Sequence, residues 1–381
     1  MIGSGGADGA AGMSLALADP LNSYNVVVLG ASVSGLAVAS RLKNSSVAVV
    51  SASHRPGWPP HCTGLVSPWT AKRLGWEAVR EIYDTAVFLK DNLEAFCSIE
   101  STMLAVRISR PLLEELLAEK VQSLGHKILF RRRASRVDAE KGCVHLSGGA
   151  RLCAEQAIIV GTGYGSFSKL FGVEKCDKLA GFELRARLLK RLPENIFYTI
   201  HGRRFAPDFF AWIVPINYGR EALIGLGSLD DPLPRLSELL RVAERRGLLE
   251  LDSIISHRGG TIVRGPPAKR IRAGKAWGVG DVLCASKPFT GGGLYAVAVL
   301  APEIARAIHE PSWESVVQEA WRKLRHELFL QRLLTRISLL FREFWRAALS
   351  IACISHGDRC KIDYDRHSSL LKCLFAFKQR R

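Results

Sequence analysis

Apolar residues fall in two rhythms along this chain. Tyr24–Leu29 (YNVVVL) is a short, continuous, β-branched run, the mark of a strand buried on both faces. GASVSG (Gly30–Gly35) interrupts it, LAVASRLKNS follows with helical character, and VAVVSA (Val47–Ala52) is a second apolar run. This order predicts a βαβ unit with a right-handed crossover. Apolar positions at Val79, Ile82, Ala86 and Leu89 predict a helix over Ala78–Phe96, and Arg110–Leu124 predicts another, with Pro111 near its start. AVRI, KILF, CVHLS and AIIVG predict strands. From Phe182 to Gly227 the pattern is strand-like, with a turn at Asn217–Gly219. Asp231–Leu236 reads as a loop leading into a short helix that ends near Gly247. Trp277–Leu283 predicts a strand and Leu294–His309 a helix.

The tail from His326 to Ile354 is amphipathic. On a helical wheel Arg325, Arg332, Arg336, Glu343 and Arg346 cluster, and Leu, Ile, Phe and Trp cover most of the rest. Such a helix suits a membrane interface or the surface of its own protein equally well. Charge sharpens the picture: the chain carries a net +17, and Trp321–Arg381 holds 14 Lys+Arg against 5 Asp+Glu. The basic residues lack the interleaved stacking aromatics of a nucleic-acid module, so no nucleic-acid partner is expected.

With 48% hydrophobic residues in 381, a substantial core can be buried, and no apolar run is long enough to span a membrane. Residues 1–22, rich in Gly and Ala, read as a disordered extension, with Met13 a candidate start. The nine cysteines form no CxxC pair and their number is odd. They argue against a secreted disulfide framework or a zinc site, and for a reducing, cytoplasmic setting. The exception is a hyperthermophile, where intracellular disulfides occur. No metal site is expected.

Candidate chemistry begins at Gly30-Ala-Ser32-Val-Ser-Gly35, a GxSxxG variant of the dinucleotide fingerprint. Gly30 allows the turn out of the strand, Gly35 allows close helix–sheet packing, and the helix N-terminus offers N–H groups to a pyrophosphate. Ser32 stands where a glycine usually admits phosphate. Ser51 stands where an acid usually holds the ribose, with Ser53 and His54 beyond it. The alternative is a Gly/Ser turn in an ordinary α/β unit. Far along the chain, GVGDVLCASKPFTGGGL (278–294) places Asp281 after an apolar strand and bare backbone before a helix. A carboxylate there can accept hydrogen bonds from a polyol such as a ribityl chain. Glycines 291–293 let backbone N–H groups approach a flat ring and stabilise negative charge on it.

Taken together, these segments resemble the geranylgeranyl reductase family of flavoproteins, within the p-hydroxybenzoate hydroxylase-like FAD superfamily. GVGDVLCASKPFTGGGL is similar to its GD…P…GGG segment. HCTGLVSP (His61–Pro68) resembles its Cys-x-Gly…Ser segment, FFAWIVP (Phe209–Pro215) its aromatic-Trp-x-x-Pro strand, and ISRPLLEELL places Arg110 at an FAD-contacting arginine. The departures are Val282, Leu283 and Cys284 after GD, Gly161-Thr-Gly163-Tyr without the family's acid, and Ser32 and Ser51.

The resemblance implies an α/β protein with a Rossmann-like FAD-binding domain, discontinuous in sequence (23–60, 103–165 and 268–310). An inserted α+β substrate region of mostly antiparallel sheet (61–102 and 166–267) and a basic helical C-terminal region (311–381) complete it. It implies FAD held by Gly30, Ser32, Gly35, Ser51, Arg110, Gly163, Gly280, Asp281 and Gly291–Gly293. It implies saturation of C=C bonds in geranylgeranyl chains of membrane ether lipids, by hydride from reduced flavin N5 and a proton to the other carbon. Cys62 would face the ring, with His61 as a proton relay. Gly64, Trp212, Pro215 and Pro288 would line the prenyl-chain site, and Cys284 would pack. The reductant is left open between NAD(P)H and a ferredoxin, since no second glycine-rich fingerprint is present. The expected place is the cytoplasm, peripheral on the inner face of the membrane. Two alternatives stay open: a flavin hydroxylase or electron-transfer oxidoreductase on the same fold, and a non-catalytic flavin-fold protein that binds lipid.

Overall fold

In the computed structural model, which describes residues 23–60, 62–356 and 360–378, β1 (Ser23–Leu29) is fully buried from Val26 onward. α1 (Val33–Ala39) and β2 (Val47–Val50) complete the βαβ unit, with β2 parallel to β1. The chain then leaves this layer for β3 (Leu65–Val66), α2 (Pro68–Leu74), β4 (Val79–Leu89) and β5 (Ala95–Ile108). It returns as α3 (Arg110–Ser123), β6 (Lys127–Leu129), β7 (Ala134–Asp138), β8 (Cys143–Leu146) and β9 (Arg151–Val160). A second excursion contains β10 (Lys178–Leu188), β11 (Ile196–Ile200), β12 (Ala211–Ile216), β13 (Glu221–Ser228), α4 (Pro232–Arg245) and β14 (Leu251–Val263). β15 (Arg272–Ala273), β16 (Ala276–Gly278) and α5 (Leu294–His309) bring the chain back. α6 (Glu314–Leu340), α7 (Arg342–Ser355) and α8 (Ser369–Lys378) follow.

The first sheet runs β15-β16-β9-β1-β2-β6, parallel from β16 to β6, with the β7–β8 hairpin attached antiparallel to β9. The second runs β14-β10-β13-β12-β11-β4-β5-β3 and is antiparallel except where β11 meets β4. The architecture is the α/β one expected: a Rossmann-like layer interrupted by a mostly antiparallel sheet, then C-terminal helices. One core cluster joins β1, β2, β9 and β16 to α1, α3 and α5. A separate cluster lies under the second sheet and α4.

Local chemistry explains the matches. Asn217 and Tyr218 both have positive φ (51° and 57°), which makes the β12–β13 turn where the sequence placed it. Asp231 caps α4, its carboxylate accepting from the Leu233 N–H at 3.0 Å, and Pro232 sits in the first turn. The helix therefore starts inside the expected loop.

Four expectations are corrected. Ala78–Phe96 is not a helix but the whole of β4, a turn and the start of β5. The β4–β5 pairing shifts register between Val79 and Glu81, Tyr83 and Thr85, and Phe88 and Leu89. These bulges reset the two-residue alternation and imitate helical spacing. The strand expected over Trp277–Leu283 ends at Gly278, because Gly280 (φ +76°) turns the chain into one helical turn over Gly280–Leu283. The amphipathic tail is two helices, broken at Phe341.

The cysteines are the fourth. Cys143–Cys153, Cys176–Cys284 and Cys360–Cys373 are disulfides, so Cys284 is bonded rather than merely packed. Cys143 and Cys153 face each other on β8 and β9. The other pairs meet only through tertiary structure, which spacing along the chain does not reveal. Residues 1–22 and His61 lie outside the described residues. Among the described residues no helix is long and apolar enough to cross a membrane, and no cluster of metal-ligating side chains occurs.

Candidate active site

The two glycine-rich segments, distant in sequence, meet in space. A Cβ on Gly280 would lie 2.3 Å from Ser34 Oγ, so the Asp281 turn packs directly on the start of α1. A Cβ on Gly35 would lie 2.0 Å from the Gly30 carbonyl oxygen, which explains why helix and turn need glycine there. Ser32 is the extended N-cap of α1 and its side chain caps nothing. The first helical N–H, of Val33, donates to Glu114 Oε1 at 3.0 Å. Glu114 is fully buried and ion-paired with Arg110, four residues earlier on α3.

Arg110 thus reaches the α1 terminus through Glu114. Burial pulls the Arg110 pKa down, but the Glu114 carboxylate and the Cys62 side chain outweigh it and raise it, so the guanidinium stays charged. Ser51 is buried, and its hydroxyl hydrogen-bonds to the Ser53 hydroxyl at 2.7 Å. Ser53, His54, Trp58, Arg131 and Arg133 line an open cleft beyond it. Gly163 has φ +80° and faces open space.

At the other end, Asp281 Oδ1 accepts from Ser286 Oγ at 2.6 Å, and a Cβ on Gly293, the N-cap of α5, would lie 2.8 Å from it. The loop between them closes on itself: Lys287 N donates to Gly292 O (3.0 Å) and Gly291 N to Lys287 O (2.7 Å). Gly291 and Gly292 line a partly open cavity of about 210 Å³ whose wall also includes Cys62, Gly64 and Trp212. Pro288 shapes the loop and Pro215 accepts a hydrogen bond from the Tyr83 hydroxyl at 2.6 Å through its carbonyl. Neither proline is among the lining residues.

The cavity is walled largely by aromatic and aliphatic side chains, including Phe88, Phe182, Phe197, Phe289 and Leu349. Trp212 lies over bare backbone, since a Cβ on Gly225 would come within 2.5 Å of its Cζ2. Its indole N–H donates to Glu183 Oε2 at 2.7 Å. Thr63 Oγ1 donates to the same oxygen at 2.5 Å, and Arg258 Nε donates to Oε1 at 2.8 Å. On the opposite wall Lys287 Nζ donates to Asp365 Oδ1 at 2.6 Å, with both side chains buried. Asp365 Oδ2 accepts from Ser67 N (3.0 Å) and Thr70 Oγ1 (2.7 Å) at the start of α2. Burial, helped by Lys287, pushes His367 down to about 3, and burial, with Arg346 and Arg342, pushes His201 down to about 4. Burial, then Asp365 and Cys62, raises Tyr364, so its hydroxyl keeps its proton.

Glu183, Arg258, Lys287, Asp365, His201 and Tyr364 were not singled out from the sequence. Lys287 alone had a signal, as a lone cation in an apolar stretch before the glycines. Glu183 looks like the polar face of an alternating strand until Arg258 is placed opposite it on β14.

The residues fit a flavin nucleotide. Arg110 Nε and the cavity-lining Thr290 Oγ1 are buried without a hydrogen-bond partner, and the ground beyond Gly163 is open, so polar capacity remains unfilled. The fold is shared with a p-nitrophenol 4-monooxygenase from Pseudomonas putida (TM-score 0.63, 14% identity, 93% of this chain and 97% of that one). In sequence and in structure the chain is similar to proteins named as geranylgeranyl reductases. It is 24% identical over 289 residues to a digeranylgeranylglycerophospholipid reductase from Methanococcus aeolicus, covering 71% of this chain and 73% of that protein. A geranylgeranyl bacteriochlorophyll reductase-like protein from Thermoplasma acidophilum superposes with a TM-score of 0.77 at 14% identity, covering 92% of this chain and 96% of that one. No family model matches.

Proposed function

We propose that this chain is an FAD-dependent oxidoreductase that saturates C=C bonds of geranylgeranyl chains, in the making of membrane ether lipids. The observation that carries the reading is an aromatic and aliphatic cavity with no free cation among its described lining residues. Its lining cations are matched by carboxylates, Arg258 by Glu183 and Lys287 by Asp365, its other carboxylate, Asp363, accepts from the Asp365 and Arg366 backbone N–H groups, and its two low-pKa histidines are uncharged near pH 7. A hydrocarbon chain loses little on entering such a space, whereas an anionic substrate finds no free counter-charge.

Reduced flavin, when bound, would supply the hydride; Gly291 and Gly292 would present backbone to it, and Glu183 fixes the Trp212 ring edge so that the aromatic wall can align the chain. The carbon that does not receive hydride needs a proton, which we assign to the Cys62 thiol in the cavity wall, a hydrogen-bond partner of Arg110. His61 would resupply it.

The second reading, a hydroxylase, draws on the monooxygenase of the same fold. One experiment separates them: protein, FAD, dithionite and a geranylgeranyl diether lipid without oxygen, with products read by mass spectrometry. The reductase reading predicts a lipid product that gains two hydrogens per double bond without oxygen. A product that gains oxygen, and only in air, selects the hydroxylase. Failure to take up FAD selects a non-catalytic lipid binder, consistent with Glu114 on the Val33 N–H and Ser51 spent on Ser53.

A further inference from the structure

α6 is apolar on two faces, and only one of them is covered. Val317, Trp321, Leu324, Leu328 and Leu334 point into the protein. Phe329, Leu333 and Leu340 lie on the opposite side with Arg336 among them, at helical spacing. The stripe continues around the corner into α7. Leu333 is 54% exposed, Leu340 72%, Phe341 61% and Phe344 68%, while the next turn of α7 buries Trp345 and Leu349. A corner this apolar is costly in water and marks a contact surface.

Its charge identifies the contact. Arg325 lies 5.3 Å from the Phe329 ring, and Arg336 and Arg203 are exposed, whereas Arg204 is paired with Glu238 and the exposed carboxylate of this corner, Glu343, is paired with Arg346. Arg342 and Arg346 are tied inward, to the Pro207 and His201 carbonyls. Burial, then the like charge of Arg203, lowers the Arg342 pKa, although Asp91 and Asp208 nearby oppose the shift. A second copy docked here by two-fold symmetry would set this arginine-rich corner against itself, in a chain already at +17. An anionic lipid surface accepts both the aromatic side chains and the arginines.

We propose that the α6–α7 corner, through Leu333, Leu340, Phe341 and Phe344 framed by Arg336 and Arg203, seats the protein on an anionic membrane surface. This rests on the reading of the substrate as a membrane lipid and gives it a delivery route. α7 is the shared wall: its first turn carries Phe344 outward, while Leu349, one and a half turns later, lines the cavity. A chain drawn from the membrane has only the thickness of one helix to pass.

The test is sedimentation of the full chain with vesicles of saturated phosphatidylglycerol or saturated phosphatidylcholine, which contain no reducible chain. Binding to the anionic vesicles is expected, weakening with salt, and falling at least about tenfold in the Leu340→Ser/Phe341→Ser/Phe344→Ser variant. Equal binding by the variant overturns the proposal. So does failure of the parent chain to bind anionic vesicles, or a parent dimer in light scattering that the variant abolishes. Reduction of detergent-dispersed lipid is measured alongside. The variant should keep it, and its loss in the parent chain would fault the enzymatic reading independently of docking.

Discussion

Lys287 Nζ and Asp365 Oδ1 stand 2.6 Å apart, joining residues separated by 78 positions. Lys287 belongs to the glycine loop and Asp365 to the segment between α7 and α8, so this bond fastens the C-terminal region to the cavity. Desolvation opposes charge on Asp365, but Lys287, Ser67 and Thr70 outweigh it and lower its pKa. Lys287→Met would leave a buried, uncompensated carboxylate, a loss of about 3–5 kcal/mol. Asp365→Leu added to it should recover only part, because Ser67 N and Thr70 Oγ1 then lose their acceptor. Urea denaturation of both variants checks this. Full recovery in the double variant would mean those two donors find other partners.

Acid should unfold the protein through its histidines first. His201 and His367 are depressed below the ordinary 6.5, so the unfolded chain binds protons more readily than the folded one. Their contribution is complete above about pH 6.5 and is lost as pH falls toward about 4 for His201 and about 3 for His367. His201→Gln/His367→Gln should flatten the Tm-versus-pH curve between pH 6.5 and 4, read by thermal denaturation. An unchanged slope would place the acid sensitivity elsewhere.

Gly225 sets the position of the Trp212 ring. Alanine there would put a Cβ 2.5 Å from Trp212 Cζ2 and 2.6 Å from the Phe182 carbonyl oxygen. The backbone oxygen has little freedom, so the indole must move toward the cavity. Gly225→Ala should cost about 1–3 kcal/mol, shift the tryptophan emission, and weaken uptake of a fluorescent apolar probe. Unchanged emission and uptake would show that the strand yields instead.

The thiols offer a count. Six of nine cysteines are bonded, leaving Cys62, Cys97 and Cys353. Cys97 on β5 and Cys353 on α7 have sulfurs 2.7 Å apart. Protein purified without oxidant and alkylated in denaturant should take three adducts. After oxidised glutathione, which is reduced to two glutathione thiols as Cys97 and Cys353 join, it should take one, on Cys62. Three adducts after treatment would mean that this pair does not close.

What the sequence revealed depended on whether a signal was local. β1, α1, β2 and α5 were legible because their residues face one uniform environment, the core of the parallel sheet. β4 was misread because its bulges break the alternation that identifies a strand. Cys62, Gly64, Trp212, Gly291 and Gly292 do line one cavity, while Pro215 and Pro288 support it from behind. Glu183, Arg258, Lys287 and Asp365 were not legible. Each acquires its meaning from a partner on a distant strand or loop, and an isolated charge in sequence looks the same whether solvated or paired. Glu114 is the sharpest case: nothing near it in sequence, apart from Arg110, signals that its carboxylate will meet the α1 terminus.

The most direct test of the central claim is anaerobic absorbance of the flavin-loaded protein. Dithionite bleaches the flavin, and a geranylgeranyl diether lipid is then added. The oxidised flavin spectrum should return in proportion to the double bonds saturated, and Trp212→Ala should slow this return without releasing flavin. A spectrum that stays bleached with the lipid and recovers only on admitting oxygen would contradict the central claim.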